Sequence, residues 1–339
     1  MKKTSIIPNI EPIWQSQSWQ KLLASAYDNS TELLAALALD ASQIDVSGAA
    51  ASDFPLRVPA TYVAKMRQGD PNDPLLRQIL PLGAELDVVG GYSADPLEES
   101  ERNPVPGIVH KYRGRVLLIT SGACAINCRY CFRRHFPYQA NNPSLKEWQQ
   151  SLDYIAARDD IEEVILSGGD PLAASDKYLS TLVQHIAAIP HVKRLRIHSR
   201  LPIVIPQRIT EETLAWMDTD RFDIAFVVHA NHPNELDLHT ARAFNALQQH
   251  GVTLLNQGVL LAGINDNVDT LLSLSKTLFS QGVLPYYMHA LDKVAGAAHF
   301  DVTREAAQQL AAELLIQLPG YLMPKFVFTQ AGALHKIAL

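Results

Sequence analysis

The chain has 339 residues, 47% of them apolar, and its 29 Lys and Arg against 35 Asp and Glu leave a net charge of −6. That size supports a large buried core and about two domains, and the composition is not that of a disordered chain. No long basic run offers a nucleic-acid footprint, no apolar stretch approaches the roughly 20 residues that cross a bilayer, and MKKTSIIPNIEPIWQSQSW lacks the apolar segment of a secretory leader.

In chain order, residues 1–100 read as a mainly helical N-terminal region: WQKLLASAYDNSTELLAALAL carries apolar residues at helical spacing, and VPATYVAKMRQGDPNDPLLRQILP is broken by prolines. SADPLEESERNPVPG, at 93–107, reads as a connection. From there the texture changes. RVLLIT, EEVILSGGD, VKRLRIHSR, FDIAFVVHA, VTLLNQGVLL and LPYYMHALDKV are six strand-like runs separated by segments of helical pattern, and PKFVFTQ is a further strand-like piece at 324–330. Strand and helix alternating about every 30 residues predict an α/β domain over 101–339 with a mostly parallel sheet. Six units are too few to close an eight-stranded barrel, so the expectation is a partial (β/α)6 barrel with its chemistry at the carboxyl ends of the strands. SGGD, HSR, HANHPNE, NQG and LDK all fall near such ends.

All three cysteines lie within eight positions, as C-x3-C-x2-C at Cys124, Cys128 and Cys131. With none elsewhere to pair with, they argue for a reducing compartment, and a cytoplasmic location is expected. Thiolates suit zinc or iron–sulfur centres, and three in one loop can wrap a single centre. Several readings stay open on spacing alone: a zinc site completed by His135, a disulfide with one thiol over, buried structural cysteines, or a [4Fe–4S] cluster whose fourth iron is free for a small molecule.

This motif, with Tyr130 before the last cysteine, resembles that of the radical S-adenosylmethionine superfamily. HKYRGRVLLITSGACAINCRYCFRRHFPY, HANHPNEL, NQGVLLAGIND and YYMHALDKVAGAAHFDV extend the resemblance, over about 100–339, to the lysine 2,3-aminomutase family, and most closely to its bacterial branch associated with β-lysylation of elongation factor P. The resemblance implies three cofactors: a [4Fe–4S] cluster on the cysteines, S-adenosyl-L-methionine, and pyridoxal 5'-phosphate held as a Schiff base. It implies an isomerase that moves the amino group of L-α-lysine from Cα to Cβ, an external electron donor, and a functional link to an elongation factor P lysyl ligase.

Residue by residue, the resemblance puts the cofactor lysine at Lys336, with Lys325 and Lys293 as rivals. Ser167, Gly168, Gly169 and Asp170 match the segment that meets the methionine moiety. Lys111, Arg115 and Gln257 match contacts to pyridoxal phosphate, and His229, with His232, matches residues that shape the pocket. Arg133 matches the arginine for the substrate carboxylate and Asp292 one aspartate for its distal ammonium. Two departures stand out: Thr329 holds the place of the second aspartate, and the family's glycine run is here Ala331 to His335. Because the family's zinc-bearing extension has no counterpart after Lys336, no structural zinc is expected, and a monomer or simple oligomer is. The competing functions are a radical S-adenosylmethionine enzyme without pyridoxal phosphate, and a non-catalytic zinc or iron–sulfur interaction protein.

Overall fold

The computed structural model describes residues 17–141, 148–217 and 220–339, so the first sixteen residues of the tested leader stretch lie outside the described residues. Nine strands form one sheet in chain order: β1 (Ile108–Tyr112), β2 (Arg115–Ser121), β3 (Glu163–Gly168), β4 (Arg194–Ser199), β5 (Asp223–Val228), β6 (Thr253–Val259), β7 (Leu284–His289), β8 (Lys325–Phe328) and β9 (Ile337–Ala338). β2 to β8 run parallel, while β1 and β9 are antiparallel additions at the two edges. Each successive parallel pair is joined through a helix, the six crossovers containing Trp148–Ala156, Asp176–Ala187, Glu211–Met217, Leu238–Gln249, Val268–Ser280 and Arg304–Gln317. This is the partial (β/α)6 barrel with one more parallel strand at its end.

The six strand-like runs are β2 to β7, and PKFVFTQ is β8. RVLLIT is nevertheless the second strand. IVHKY precedes it as β1, joined by a tight turn at Gly114, whose φ of 74° favours glycine. The alternation along the strands explains where the site lies. Val116, Leu118, Val164, Leu166, Leu195, Ile197, Phe226 and Leu254 are buried and belong to one large core. Their neighbours on the opposite face include Arg115, Arg196, His198 and Gln257, all only partly buried. A parallel sheet covered on both faces is ordinarily apolar on both. A polar second face therefore marks space for ligands.

The N-terminal helices are short: Trp19–Ala24, Ser30–Ala36, Gly48–Asp53 and Ala60–Val63. Helices of this length depend on tertiary packing, and Leu22, Leu33, Leu34, Leu56, Tyr62, Leu75 and Ile79 join the same core as the barrel strands. Polar ties reinforce the packing. Thr61 donates to the Val204 carbonyl at 2.5 Å, and Lys65 Nζ donates to the carbonyls of Ile203 at 2.9 Å and Glu235 at 2.8 Å. Among the described residues no helix is long and apolar enough to cross a membrane.

Candidate active site

The cysteine loop leaves the end of β2 and is sewn to β3. Gly169 N–H donates to the Ser121 carbonyl at 2.7 Å and Asp170 N–H to that of Ala123 at 2.8 Å. A Cβ on Gly168 would stand 2.5 Å from the Ser121 oxygen, and one on Gly169 2.6 Å from the Ala123 oxygen. The paired glycines thus allow β3 to approach the backbone just ahead of Cys124. Asp170 spends its carboxylate within the protein: Oδ1 accepts from Leu172 N–H at 3.0 Å and Ser199 Oγ at 2.7 Å, and Oδ2 from Arg200 N–H at 2.8 Å and Leu201 N–H at 3.2 Å. It thereby fixes the end of β4.

All three cysteines are free thiols. Burial pushes Cys124 well above the usual thiol range and Cys131 up to about 11, with the neighbouring cysteines adding to the rise. Buried thiols of this kind stay protonated until a metal centre takes their sulfurs. His135 turns its Nε2 to the Ala295 carbonyl at 3.3 Å, and among the described residues no three of His, Cys, Asp and Glu are placed to share one ion. The soft donor set in one loop fits an iron–sulfur cluster, which presents a separate iron to each thiolate.

Arginines brace the loop from both sides. Arg129 donates to Glu85 Oε1 at 2.8 Å and Oε2 at 2.5 Å, and to the carbonyls of Phe54 and Ala50; Arg134 reaches Glu85 Oε2 at 3.0 Å and the Gly296 carbonyl at 3.2 Å. Just beyond β4, Arg200 Nη1 donates to Cys128 Sγ at 2.6 Å and to Tyr130 Oη at 2.7 Å. Glu85 comes from the N-terminal region and Arg200 from the HSR cluster. The sequence reading assigned a role to neither.

The other wall holds Lys336. Immediately after it, β9 pairs with β8, Val327 opposite Ala338 and Phe328 opposite Ile337, and Leu339 N–H donates to the Phe326 carbonyl at 3.0 Å. The two paired residues that follow it therefore hold Lys336 in place. Its Nζ lies 5.5 Å from the centre of the Tyr287 ring. Burial lowers its amine to about 8; Asp292 opposes the fall, and Lys111, Arg115 and Arg196 add to it. Asp292 is pushed up to about 6 by burial, against the pull of Lys336 and Lys111. Lys325 and Lys293 are both exposed, the latter over the Tyr92 ring, so neither shares this environment.

Three histidines complete this wall. His198, His229 and His289 each leave a buried Nε2 without a hydrogen-bond partner, and the rings of His198 and His229 meet edge to face at 5.8 Å. Burial drives all three toward the neutral form, His229 down to about 3. His232 does not join them: its Nδ1 accepts from Asn234 N–H at 3.2 Å. Buried imidazole nitrogens without partners, beside an amine made nucleophilic by desolvation, suit a polar aromatic cofactor that bonds covalently to lysine.

Arg133 and Lys111 are joined by a residue from the stretch read as a connection. Glu99, buried in a short 3-10 turn, accepts from Arg133 Nε at 2.7 Å and Nη2 at 3.0 Å, and pairs with Lys111 Nζ at 3.2 Å. Arg133 Nη1 faces Ser167 Oγ at 3.3 Å and the Gly168 carbonyl at 3.4 Å. Glu99 occupies the side-on fork of the guanidinium, Nε with Nη2, and Nη1 makes only the two longer contacts to Ser167 and Gly168. Gln257 lies partly buried on β6, opposite Tyr287 of β7, and Thr329 follows β8 directly. A chain of net charge −6 thus gathers Lys111, Arg115, Arg133, Arg196 and Lys336 around one space.

Residues 118–274 match the Radical SAM superfamily. The chain is 48% identical over 331 residues to L-lysine 2,3-aminomutase of Haemophilus influenzae, covering 98% of each protein. It belongs to the lysine 2,3-aminomutase family of radical S-adenosylmethionine enzymes. The Escherichia coli L-lysine 2,3-aminomutase is 48% identical over 95% of this chain and 94% of its own length. That of Clostridium subterminale is 33% identical over 94% of this chain and 76% of its own length. The chain is close to the bacterial branch represented by the first two relatives. Radical S-adenosylmethionine family membership carries with it the use of S-adenosylmethionine and an iron–sulfur centre, to which the loop of Cys124, Cys128 and Cys131 answers.

Proposed function

We propose that the protein is a lysine 2,3-aminomutase that converts L-α-lysine to β-lysine. It would hold a [4Fe–4S] cluster on Cys124, Cys128 and Cys131, with S-adenosylmethionine beside it, and pyridoxal phosphate on Lys336. When bound, the cluster and S-adenosylmethionine supply radical chemistry and pyridoxal phosphate supplies an electron sink for the moving amino group.

The observation that supports this reading most is the amine of Lys336, lowered to about 8 in a buried setting and anchored by β9. At neutral pH an appreciable fraction of it is neutral and nucleophilic, as covalent capture of an aldehyde requires. Lys111 and Arg115 offer the positive charge that a phosphate needs, and His198, His229 and His289 offer neutral ring nitrogens free of other partners. Arg133 would meet the substrate α-carboxylate through Nη1, whose present contacts are its longest, while Glu99 steadies the Nε–Nη2 fork. Asp292, mostly ionised at neutral pH, would meet the distal ammonium. Ser167 stays with Arg133, and Gly168, Gly169 and Asp170 hold the cysteine loop and the end of β4 where S-adenosylmethionine would lie.

The β-lysine so formed would feed a ligase that modifies elongation factor P, and an external donor would reduce the cluster. Thr329 favours a second reading. With a hydroxyl where the family has an aspartate, a buried ammonium loses one of its two anions, which is costly for a desolvated charge. A different amino acid, or lysine already on a carrier, is the alternative substrate. The test is anaerobic reconstitution with iron, sulfide and pyridoxal phosphate, followed by reductant, S-adenosylmethionine and L-lysine. The expected product is β-lysine. Formation of 5'-deoxyadenosine without β-lysine would overturn free lysine as the substrate, and absence of both would overturn the reaction class.

A further inference from the structure

We infer that Arg200, held by Glu235, is a positioning residue that sets the reduction potential of the cluster bound at Cys128. The inference rests on the cluster of the functional reading and concerns residues to which that reading gives no role.

Arg200 is 5% exposed and Glu235 is fully buried. The two ends of the guanidinium do different things. Nη1 points at the cysteine loop, donating to Cys128 Sγ at 2.6 Å and Tyr130 Oη at 2.7 Å. Nη2 points away from it, to Tyr62 Oη at 3.0 Å, Gln78 Oε1 at 2.8 Å and Glu235 Oε2 at 2.8 Å. The other Glu235 oxygen accepts from Asn231 N–H at 2.9 Å, His232 N–H at 3.1 Å and Gln78 Nε2 at 3.3 Å, so the carboxylate cannot swing toward the loop. Asp170 fixes the backbone on either side of the arginine side chain. The cation is therefore the near charge to the sulfur and the anion the far one.

Reduction adds one electron to the cluster. A buried cation and an N–H aimed at a ligating sulfur both stabilise that added charge, and hydrogen bonds to sulfur and local net charge are the protein's means of tuning such centres. A buried arginine with an N–H on the cluster's own ligand thus raises the potential, and its counter-ion moderates the effect. Arg200→Gln removes the cation, whereas Glu235→Gln removes the anion and leaves the cation in place. The two changes act on the potential in opposite directions, whereas damage to the loop would move both variants the same way.

The experiment is potentiometric titration of the reconstituted full-length protein, read by the electron paramagnetic resonance signal of the reduced cluster and normalised to iron content. Arg200→Gln is expected to lower the reduced-to-oxidised ratio at fixed potential about tenfold, a shift of about 59 mV for a one-electron couple. Glu235→Gln is expected to raise it. Arg200→Lys keeps the charge, loses the fork, and should fall between wild type and Arg200→Gln. If Arg200→Gln fails to load iron, Arg200→Lys and Glu235→Gln decide: the inference stands if the first lowers the potential and the second raises it. Shifts of the same sign, or unchanged potentials in iron-replete variants, overturn it. A wild type with no iron–sulfur signal would instead refute the functional reading.

Discussion

Around the cysteine loop, Arg129 is held by Glu85, Phe54 and Ala50, and Arg200 by Glu235, Gln78, Tyr62 and Tyr130. Around Lys336, by contrast, His198, His229 and His289 each keep a buried Nε2 with no partner, and burial strains the charge of both Lys336 and Asp292. The first wall pairs its charges within the protein, Arg129 and Arg134 on Glu85 and Arg200 on Glu235, and leaves only single arginine nitrogens, the Nε of Arg134 and of Arg200, without a partner. The second is left to be completed by whatever binds, since an unpaired buried polar group costs about 1–3 kcal/mol until a ligand supplies its partner. Preorganisation is thus spent on the loop that must present three sulfurs, and incompleteness marks where aromatic and charged ligands fit.

The sharpest way to break this contrast is to remove one residue from each wall. Lys336→Ala should lose covalent pyridoxal phosphate and drop aminomutase activity to background while keeping full iron. Cys128→Ala should do the reverse, losing the cluster's spectroscopic signature while still capturing pyridoxal phosphate. Iron analysis and mapping of the cofactor-bearing peptide check both, and loss of both cofactors in either variant would mean that the walls are not separable.

Next in size is the brace. Glu85→Ala leaves Arg129 and Arg134 buried without their shared anion, so denaturant unfolding should show a loss of about 3–5 kcal/mol. A loss under ~1 kcal/mol would show that the loop does not depend on the N-terminal region.

A smaller effect concerns pH. The reactive amine of Lys336 gains its neutral form as pH rises through about 8, so the rate of pyridoxal phosphate capture should climb from pH 7 to 9 and then level off. The Asp292 carboxylate favours the protonated amine. Asp292→Asn should therefore lower the midpoint, by about one pH unit. A midpoint that rises, or does not move, would separate Asp292 from Lys336. The smallest effect is expected at Lys325, exposed on β8: Lys325→Ala should change stability by less than about 0.5 kcal/mol and leave cofactor capture intact.

The parallel strands were legible because each carries a short Val-, Ile- and Leu-rich run with polar residues at its end, and the cysteines because three thiols in eight positions have few other uses. The edge strands were not. IVHKY mixes charge into five residues, and β9 is two residues whose pairing is visible only once β8 is in place. The braces were hidden for a related reason. Glu85 lies in the N-terminal region, Glu99 in the stretch that reads as a connection and Glu235 in HANHPNE, yet each is buried against an arginine 34 to 44 positions away. Local pattern carries no signal for such pairings. Arg200 in HSR and Glu235 in HANHPNE both lie in strand-end clusters, and that shared position is the only sequence signal either carries.

The most direct test of the account is to load the full-length protein with pyridoxal phosphate at pH 8, reduce with borohydride, digest, and locate the modified lysine by mass spectrometry. The account predicts the label on Lys336, with Lys325 and Lys293 unmodified. A label on either of those lysines, or none on Lys336, would contradict it.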